Sequence, residues 1–279
     1  MWYKPVFFIG IIVAFPSMKQ IDAPSENEDS MAKKTKGILR IGTSNIVLPG
    51  SKQTFPEAYR EKSRLHYYSS LFNSLEVNSS FYKVPMRSTF EKWSQDVPED
   101  FRLTLKLWRE ITHAKNLAFD LNHIVHFLKA AEGIGYKKGC LLIQFPGKIS
   151  LEYYNQVEKI LERLHEIDPE NEWQKAVEFR NTNWYVSETY ELLDSYQASL
   201  VLHDIPKSKN FEINKGAQFV YVRFHGPKGD YRDSYSNEFL ETQFQQIQTW
   251  LKTGKHVNVY FNNTIGNAFE NAGYLKSLI

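Results

Sequence analysis

Short apolar runs alternate with helical stretches from residue 39 to the end of the chain, and this alternation constrains the fold more than any other feature. Each run is rich in Val, Ile, Leu and Phe and is bounded by polar residues, Gly or Pro, which is typical of a short buried strand. Strands that alternate with helices in this way indicate βα units and a parallel sheet. The eight predicted strands are Leu39–Ser44, Leu75–Ser79, Arg102–Leu107, Cys140–Phe145, Ala176–Arg180, Leu200–Asp204, Phe219–His225 and Val257–Asn262.

Helical stretches fill most of the gaps between these runs. The segment Lys207–Gln218, between strands six and seven, is too short and polar for a full helix, so we expect a loop or a single turn there. A further short helix is predicted from Ser88. The other predicted helices are Glu57–Phe72, Asp120–Gly133, Leu151–Glu166, Ser187–Tyr196, Ser236–Lys252 and Asn267–Leu278.

The number of βα units decides between the two common parallel folds. Eight of them in a chain of 279 residues predict an α/β fold of the TIM (β/α)8-barrel type, with a shortened connection between strands six and seven. A dinucleotide-binding open sheet is disfavoured, because no G-x-G-x-x-G pattern follows the first strand.

The beginning of the chain has a different composition. Val6–Phe15 is an apolar run that is too short to span a bilayer, which takes about 20 residues, but it has the length of a signal-peptide core. The polar, acidic stretch Asp22–Ser30 is typical of disorder, and Met31 resembles an ordinary start. We predict an apolar segment and linker over residues 1–36 and one barrel domain over residues 37–279. If residues 1–30 are a wrongly assigned start, the protein is expected to be cytoplasmic. If they are real, export or membrane anchoring is the alternative.

Composition restricts the possible partners and cofactors. The formal net charge of +2 lacks the basic footprint expected of a nucleic-acid-binding protein, so nucleic acid is not an expected partner. We expect no stable membrane insertion of residues 37–279. Cys140 is the single cysteine, which excludes an internal disulfide and a cysteine-clustered metal site. The oligomeric state stays open.

Polar side chains share one face of several predicted strands. Successive side chains of a strand point to opposite faces, so Leu103 and Leu105 lie opposite Lys106. The polar faces become charged toward the carboxyl ends of the strands, where parallel barrels carry their chemistry. The residues expected at this end are Glu76, Asn78, Lys106, Gln144, Glu178, Arg180, Arg223, His225 and Asn262, with Ser44, Asp204 and Trp184 as further candidates.

The charges of this set favour an anionic ligand over a metal ion. Lys106, Arg180 and Arg223 are permanent cations that would stand among any Glu and His ligands. A guanidinium binds carboxylate or phosphate with two parallel hydrogen bonds. The loop Gly226–Ser236, after strand seven, suits close backbone approach to such a ligand and closure over it.

Several motifs follow one another in a specific order along the chain. They are Gly42-Thr43-Ser44, Glu76–Tyr82, Lys106 with Ile111-Thr112-His113, Gln144-Phe145-Pro146, Glu178-Phe179-Arg180 with Trp184, Tyr221–Gly226 and Tyr260–Asn263. Together they resemble the domain-of-unknown-function 72 family, also called YecE-like, from about Leu39 to the C-terminus. The resemblance implies a TIM-barrel-like fold and a candidate site but no particular reaction. Where the family's first strand continues with Gly-Trp, this chain has Asn45 and Ile46, so we expect a less aromatic pocket.

We therefore expect an enzyme of the hydrolase, lyase or isomerase type that acts on a small phosphorylated or carboxylated molecule, with no metal or other cofactor. Glu178 is the expected general acid or base, and His225 and Lys106 are the other expected catalytic residues. The expected substrate-binding residues are Arg223, Arg180, Glu76, Asn78, Gln144, Asp204, Asn262 and Trp184.

Two alternatives stay open. One is a metal-dependent phosphodiesterase similar to endonuclease IV, with Glu76, Glu178, Asp204 and His225 as ligands. The other is a barrel that binds a ligand without converting it.

Overall fold

The computed structural model describes residues 36–279, and the predictions for the apolar run and acidic linker lie outside the described residues. Within this range, no helix is both long enough and apolar enough to cross a membrane. The division of the chain near residue 36 stays a prediction.

Nine parallel strands form at the positions of the eight predicted runs, because the sixth run is interrupted at Val201. They are β1 (Leu39–Thr43), β2 (Ser74–Val77), β3 (Arg102–Lys106), β4 (Lys138–Phe145), β5 (Gln174–Phe179), β6 (Ser199–Leu200), β7 (Leu202–His203), β8 (Phe219–Phe224) and β9 (His256–Phe261).

The strands belong to two sheets, so the predicted single eight-stranded barrel is wrong. One sheet has the order β1-β9-β8-β7 and the other β2-β3-β4-β5-β6. On one side the sheets divide where β6 pairs with β5 and β7 pairs with β8. On the other side β1 and β2 share a single isolated bridge, between Ser44 and Glu76.

Side-chain hydrogen bonds explain the division between β1 and β2. The amide of Asn73 accepts from the backbone N–H of Ile41 at 2.8 Å and donates to the carbonyl of Leu39 at 2.9 Å. The hydroxyl of Tyr68 accepts from the N–H of Thr43 at 2.7 Å. These side chains satisfy backbone groups of β1 that a neighbouring strand would otherwise pair.

Ten α-helices surround the sheets in the described part of the chain. They are α1 (Glu57–Arg60), α2 (Arg64–Leu71), α3 (Ser79–Tyr82), α4 (Arg87–Gln95), α5 (Arg109–Thr112), α6 (Leu121–Ala131), α7 (Tyr154–Ile167), α8 (Ser187–Ser195), α9 (Asn237–Lys252) and α10 (Ala268–Ser277). The helix predicted over Glu57–Phe72 is divided before Ser63, whose hydroxyl accepts from the N–H of His66 and so starts α2. The segment between β7 and β8 has only turns, as its short polar sequence predicts.

Alternation along the strands separates two apolar cores. The larger core includes Leu103, Leu105 and Val177, which pack under the helices. The opposite strand faces form a smaller core that includes Tyr221 and Tyr260. The hydroxyl of Tyr260, in one sheet, lies 2.6 Å from that of Ser74 and 2.8 Å from that of Thr104, both in the other. The two sheets therefore face one interior, and the charged residues at the carboxyl ends of the strands meet there.

Candidate functional site

Arg223, on β8, joins two buried glutamates of the other sheet. Its Nε and Nη2 donate to the two carboxylate oxygens of Glu76, on β2, at 2.9 and 2.7 Å. Its Nη1 donates to Oε2 of Glu178, on β5, at 2.7 Å. The hydroxyls of Ser44 and Tyr221 also donate to Glu76, at 2.6 and 2.7 Å. We call Glu76, Arg223 and Glu178 the ion-pair core of the site.

The ion-pair core remains charged at neutral pH. Burial alone raises the pKa of Glu178, but the guanidiniums of Arg180 and Arg223 outweigh it and hold that pKa well below its usual range. Burial also opposes ionisation of Glu76, yet Arg223 lowers its pKa below the ordinary value. Because each carboxylate has a cationic partner and further donors, its desolvation is offset.

Arg180 continues the ion-pair network toward solvent. Its Nε donates to Oε1 of Glu178, and its Nη2 lies 3.1 Å from Nε2 of His225. The side chain of Arg180 is 15% exposed, whereas that of Arg223 is 1% exposed. Of these two guanidiniums, Arg180 therefore has the surface that a ligand can reach.

His225 lies between the two arginines and Asp204. Its backbone N–H donates to Oδ1 of Asp204 at 2.8 Å, and its Nδ1 lies 3.2 Å from the same oxygen. Its Nε2 is 3.2 Å from Nη1 of Arg223, so we assign the proton to Nδ1 and the acceptor role to Nε2. Burial, reinforced by the charge of Arg223, lowers the pKa of His225 to about 4, although Asp204 opposes the shift. His225 is thus neutral at physiological pH.

The loop Gly226–Ser236 packs against His225 and Asp204. The hydroxyl of Tyr235 donates to the carboxylate of Asp204 and accepts from the N–H of Gly226 at 2.6 Å. The ring of Tyr231 lies 5.6 Å from that of His225, centroid to centroid. This contact places the loop beside the site, and its closure over a ligand stays a prediction.

Lys106, at the end of β3, has surroundings unlike those of the other cations. Its ammonium donates to Oε1 of Gln144 at 2.9 Å and lies 4.2 Å from the ring centroid of Phe81. In the described range, no carboxylate oxygen lies within 4 Å of this ammonium. Burial, together with the positive charge of Arg223, lowers the pKa of Lys106 to about 8.

His113 is close to Lys106 through the same aromatic ring. Its imidazole packs on the edge of Phe81, with centroids 4.8 Å apart, and its Nδ1 is 2.9 Å from the hydroxyl of Thr112. Burial and the charge of Lys106 lower the pKa of His113 to about 4. Of Lys106 and His113, Lys106 therefore has the pKa closer to neutrality.

The predicted site residues Asn78, Asn262 and Trp184 make hydrogen bonds to groups outside the ion-pair core. Asn78 is half-buried, its N–H donates to Oδ1 of Asn45, and its own Oδ1 is buried with no partner among the described residues. Asn262 is half-buried beside β8, where its N–H donates to the carbonyl of Phe224 at 2.7 Å. Trp184 lies in the large core instead of at the site.

The position of Trp184 follows from its contacts. The indole is fully buried, stacks on Phe179 with centroids 4.3 Å apart, and donates from Nε1 to the carbonyl of Ile149 at 2.8 Å. A side chain enclosed in this way cannot touch a ligand, so the expected substrate-binding role of Trp184 is not supported.

The sequence interpretation missed two residues of the site. Tyr221 lies two residues before Arg223 on β8, so the two side chains share one face of the strand. This shared face could have indicated the contact of Tyr221 with Glu76. His203, on β7, is buried beside Glu178 and Arg180, and its Nε2 lies 3.1 Å from the carbonyl of Phe179. The alternation in the short sixth run did not indicate which way His203 points.

The predicted metal ligands do not converge. Within residues 36–279, no group of three or more His, Cys, Asp and Glu side chains is arranged to hold a metal ion. Glu76 and Glu178 both face Arg223, and Asp204 faces His225 and Tyr235.

Comparisons with known proteins place these residues in a wider context. The family model described as "Protein of unknown function DUF72" matches residues 40–279. The chain is 25% identical over 258 residues to the UPF0759 protein YunF of Bacillus subtilis, covering 81% of this chain and 89% of that protein.

Two solved structures are similar in fold. A DUF72 family protein from Enterococcus faecalis aligns with a TM-score of 0.71 at 23% identity, covering 87% of this chain and 97% of that one. Another, from Thermotoga maritima, aligns with a TM-score of 0.66 at 25% identity, covering 86% and 98%. The names of these proteins assign no reaction to the residues of the site.

Proposed function

This chain belongs to the DUF72 family of proteins of unknown function, and from that premise we propose that it is an enzyme that moves a proton on a small anionic substrate. Lys106 is the proposed acid–base group, and Arg180 is the proposed anion-binding group. The reaction is of the hydrolase, lyase or isomerase type, and the substrate has a carboxylate or phosphate group.

The surroundings of Lys106 carry this proposal. Lys106 is half-buried and bonded to a neutral amide, and burial outweighs the charges of Glu178 and Glu76, so it loses part of its preference for the charged form. Its pKa of about 8 lets both protonation states exist near neutral pH, which general acid–base catalysis requires. Lys106 also lies at the carboxyl end of β3, close enough to the ion-pair core for the charge of Arg223 to affect its pKa.

Arg180 is suited to hold the anion beside Lys106. Its Nε is bound to Glu178 and its Nη2 is near Nε2 of His225, so the side chain has a fixed orientation. Its partial exposure leaves guanidinium surface for a ligand. A guanidinium oriented before binding loses little conformational entropy when it takes up a carboxylate or phosphate.

Glu178 fits a positioning role better than the acid–base role expected from sequence. Two guanidiniums hold its pKa well below the usual range, so it carries no proton to donate at neutral pH and is a weak base. Its carboxylate instead links Arg180 to Arg223 and thereby orients Arg180.

Metal-dependent phosphodiester cleavage is less well supported. That reaction requires Glu76, Glu178, Asp204 and His225 as ligands, but Arg223 lies between the two glutamates and would stand within the metal's shell.

The test combines ligand binding with turnover. A panel of phosphate esters and small carboxylic acids is screened with the full chain for a rise in unfolding temperature at constant ionic strength. A ligand at 100 times its dissociation constant adds about 2.7 kcal/mol to the free energy of unfolding. Arg180→Gln should abolish this stabilisation, whereas Arg87→Gln, at an exposed helical position, should retain it.

Turnover of the ligand is then followed by NMR. Lys106→Met should bind the ligand but convert it at least about a hundredfold more slowly, as expected for a lost acid–base group. Lys159→Met, at an exposed position of α7, is the matched control. Wild-type turnover by Lys106→Met, or undiminished binding by Arg180→Gln, would overturn the proposal. Binding without conversion by the wild type would identify a ligand-binding protein instead.

A further inference from the structure

A second charged pocket lies at the opposite, amino-terminal ends of the strands. Arg102 starts β3 on the same strand face that carries Lys106 at the other end. Arg40 on β1 and Asn258 on β9 are register partners, and Lys138 starts β4. These four side chains line a pocket of about 330 Å³.

The two arginines of this pocket donate to backbone carbonyls. Nη1 of Arg40 donates to the carbonyl of Asp100 at 2.8 Å, and Nη1 of Arg102 donates to the carbonyls of Glu99 and Phe101 at 2.9 and 3.0 Å. Neither guanidinium has an ion pair within the described residues. Burial and the adjacent charge of Arg102 lower the pKa of Arg40, which shows that the two cations repel each other.

The pocket as a whole has an excess of positive charge. Among its lining residues, the cations are Arg40, Arg102 and Lys138, and the single carboxylate is Glu172. Glu172 pairs with Lys138 and is 62% exposed. Among the described lining residues, no carboxylate is thus paired with either arginine, although the nearby charge of Asp100 raises the pKa of Arg40.

Asn258 is an independent indication of a ligand. It is 2% exposed, and its Nδ2 is buried without a hydrogen-bond partner in the part of the chain that the structure describes. A buried amide donor with no acceptor costs free energy, and such groups are rare in folded proteins. An acceptor atom of a ligand in this pocket would remove that cost.

We propose that this pocket binds a small molecule with a phosphate group, held by Arg40 and Arg102, with the amide of Asn258 as an additional donor. A phosphate monoester carries a charge of about −1.5 to −2 near neutral pH, which matches the excess of two positive charges. Its oxygens accept paired hydrogen bonds from guanidinium groups. The pocket is separate from the site of Lys106 and Arg180, so this proposal does not depend on the proposed function.

The probe is inorganic phosphate, titrated calorimetrically into the full chain with chloride at equal ionic strength as the reference. Arg40→Gln and Arg102→Gln should each weaken binding about tenfold or more, because each removes charge-assisted hydrogen bonds. Arg87→Gln is the exposed control and should bind phosphate as the wild type does.

Asn258→Asp keeps the test decisive if an arginine variant does not fold. The new carboxylate should neutralise part of the pocket, raise the unfolding temperature and abolish phosphate binding. Phosphate binding that is absent in the wild type, or unchanged in the Arg40, Arg102 and Asn258 variants, would overturn the proposal. A short single-stranded DNA is titrated in parallel; binding of the DNA without binding of inorganic phosphate would refute a small-molecule site.

Discussion

Replacement of Arg223 by Met should uncouple the two buried glutamates and change how stability depends on pH. The substitution keeps an unbranched, apolar stem of similar length but removes three hydrogen bonds to Glu76 and Glu178, of 2.7 to 2.9 Å. Removal of one partner from a buried ion pair typically costs about 3–5 kcal/mol. Glu178 keeps Arg180, whereas Glu76 keeps only the hydroxyls of Ser44 and Tyr221. The loss should therefore fall mainly on Glu76.

Arg223→Met should also reverse the direction in which the stability contributed by Glu76 depends on pH. In the wild type, the pKa values of both glutamates are lowered, so they stabilise the fold above their unfolded pKa of about 4.3, and this stability is lost as the pH falls. In Arg223→Met, burial without a cation should raise the pKa of Glu76 above the unfolded value. The stability that the variant loses relative to the wild type should then be smallest below that value and grow as the pH rises.

Urea unfolding, followed by circular dichroism between pH 4 and pH 7, measures both quantities. The double variant Arg223→Met/Glu76→Gln should recover part of the lost stability near pH 7, because no buried charge remains without a partner. A loss below about 1 kcal/mol for Arg223→Met, the range of an exposed ion pair, would contradict the buried ion-pair core. A stability difference between Arg223→Met and the wild type that does not grow as the pH rises would contradict it as well.

Three further substitutions test separate parts of the structure. The wild type should lose about 3 kcal/mol of stability as the pH falls from 6.5 to 4, because the folded pKa of His225, about 4, lies below the unfolded value. His225→Gln should remove this loss, which urea unfolding at several pH values measures. A pH profile of stability equal to that of the wild type would contradict this expectation. Trp184→Ala should cost about 3–5 kcal/mol of stability but leave ligand affinity unchanged, because the indole lies in the core; a selective loss of affinity would contradict this position. Gly226→Ala should destabilise by more than about 1 kcal/mol, because the glycine has φ +96° and a Cβ would lie 2.2 Å from the carbonyl oxygen of Arg232. Equal thermal stability of this variant and the wild type would contradict the reported loop conformation.

Strand positions could be predicted because alternating burial leaves a direct record in the sequence. The apolar residues Leu103 and Leu105 lie under the helices, opposite Lys106, as the pattern indicates. Separation of the strands into two sheets could not be predicted in the same way. It depends on Asn73 and Tyr68, whose side chains bond the backbone of β1, and single polar residues in helices or turns do not reveal such partners.

The charged residues of the site could be identified from the sequence, but their chemical roles could not. Alternation placed Glu178 and Arg180 on one face, and the structure joins them. Which charged side chain is held in ion pairs and which can titrate near neutral pH depends on its neighbours in the folded structure. Arg223 lies in another sheet and holds Glu178 in an ion pair, whereas the ammonium of Lys106 donates to the neutral amide of Gln144.

The protonation state of Lys106 is the most direct test of its proposed acid–base role. The full chain with lysine labelled with carbon-13 at Cε is titrated by NMR between pH 6 and pH 11, and the Lys106 signal is identified by its absence from Lys106→Met. We expect a titration midpoint near 8, because burial and the charge of Arg223 disfavour the ammonium. Titration at the ordinary lysine value of about 10.4 would contradict it, because such a group is fully protonated at neutral pH and cannot act there as a base.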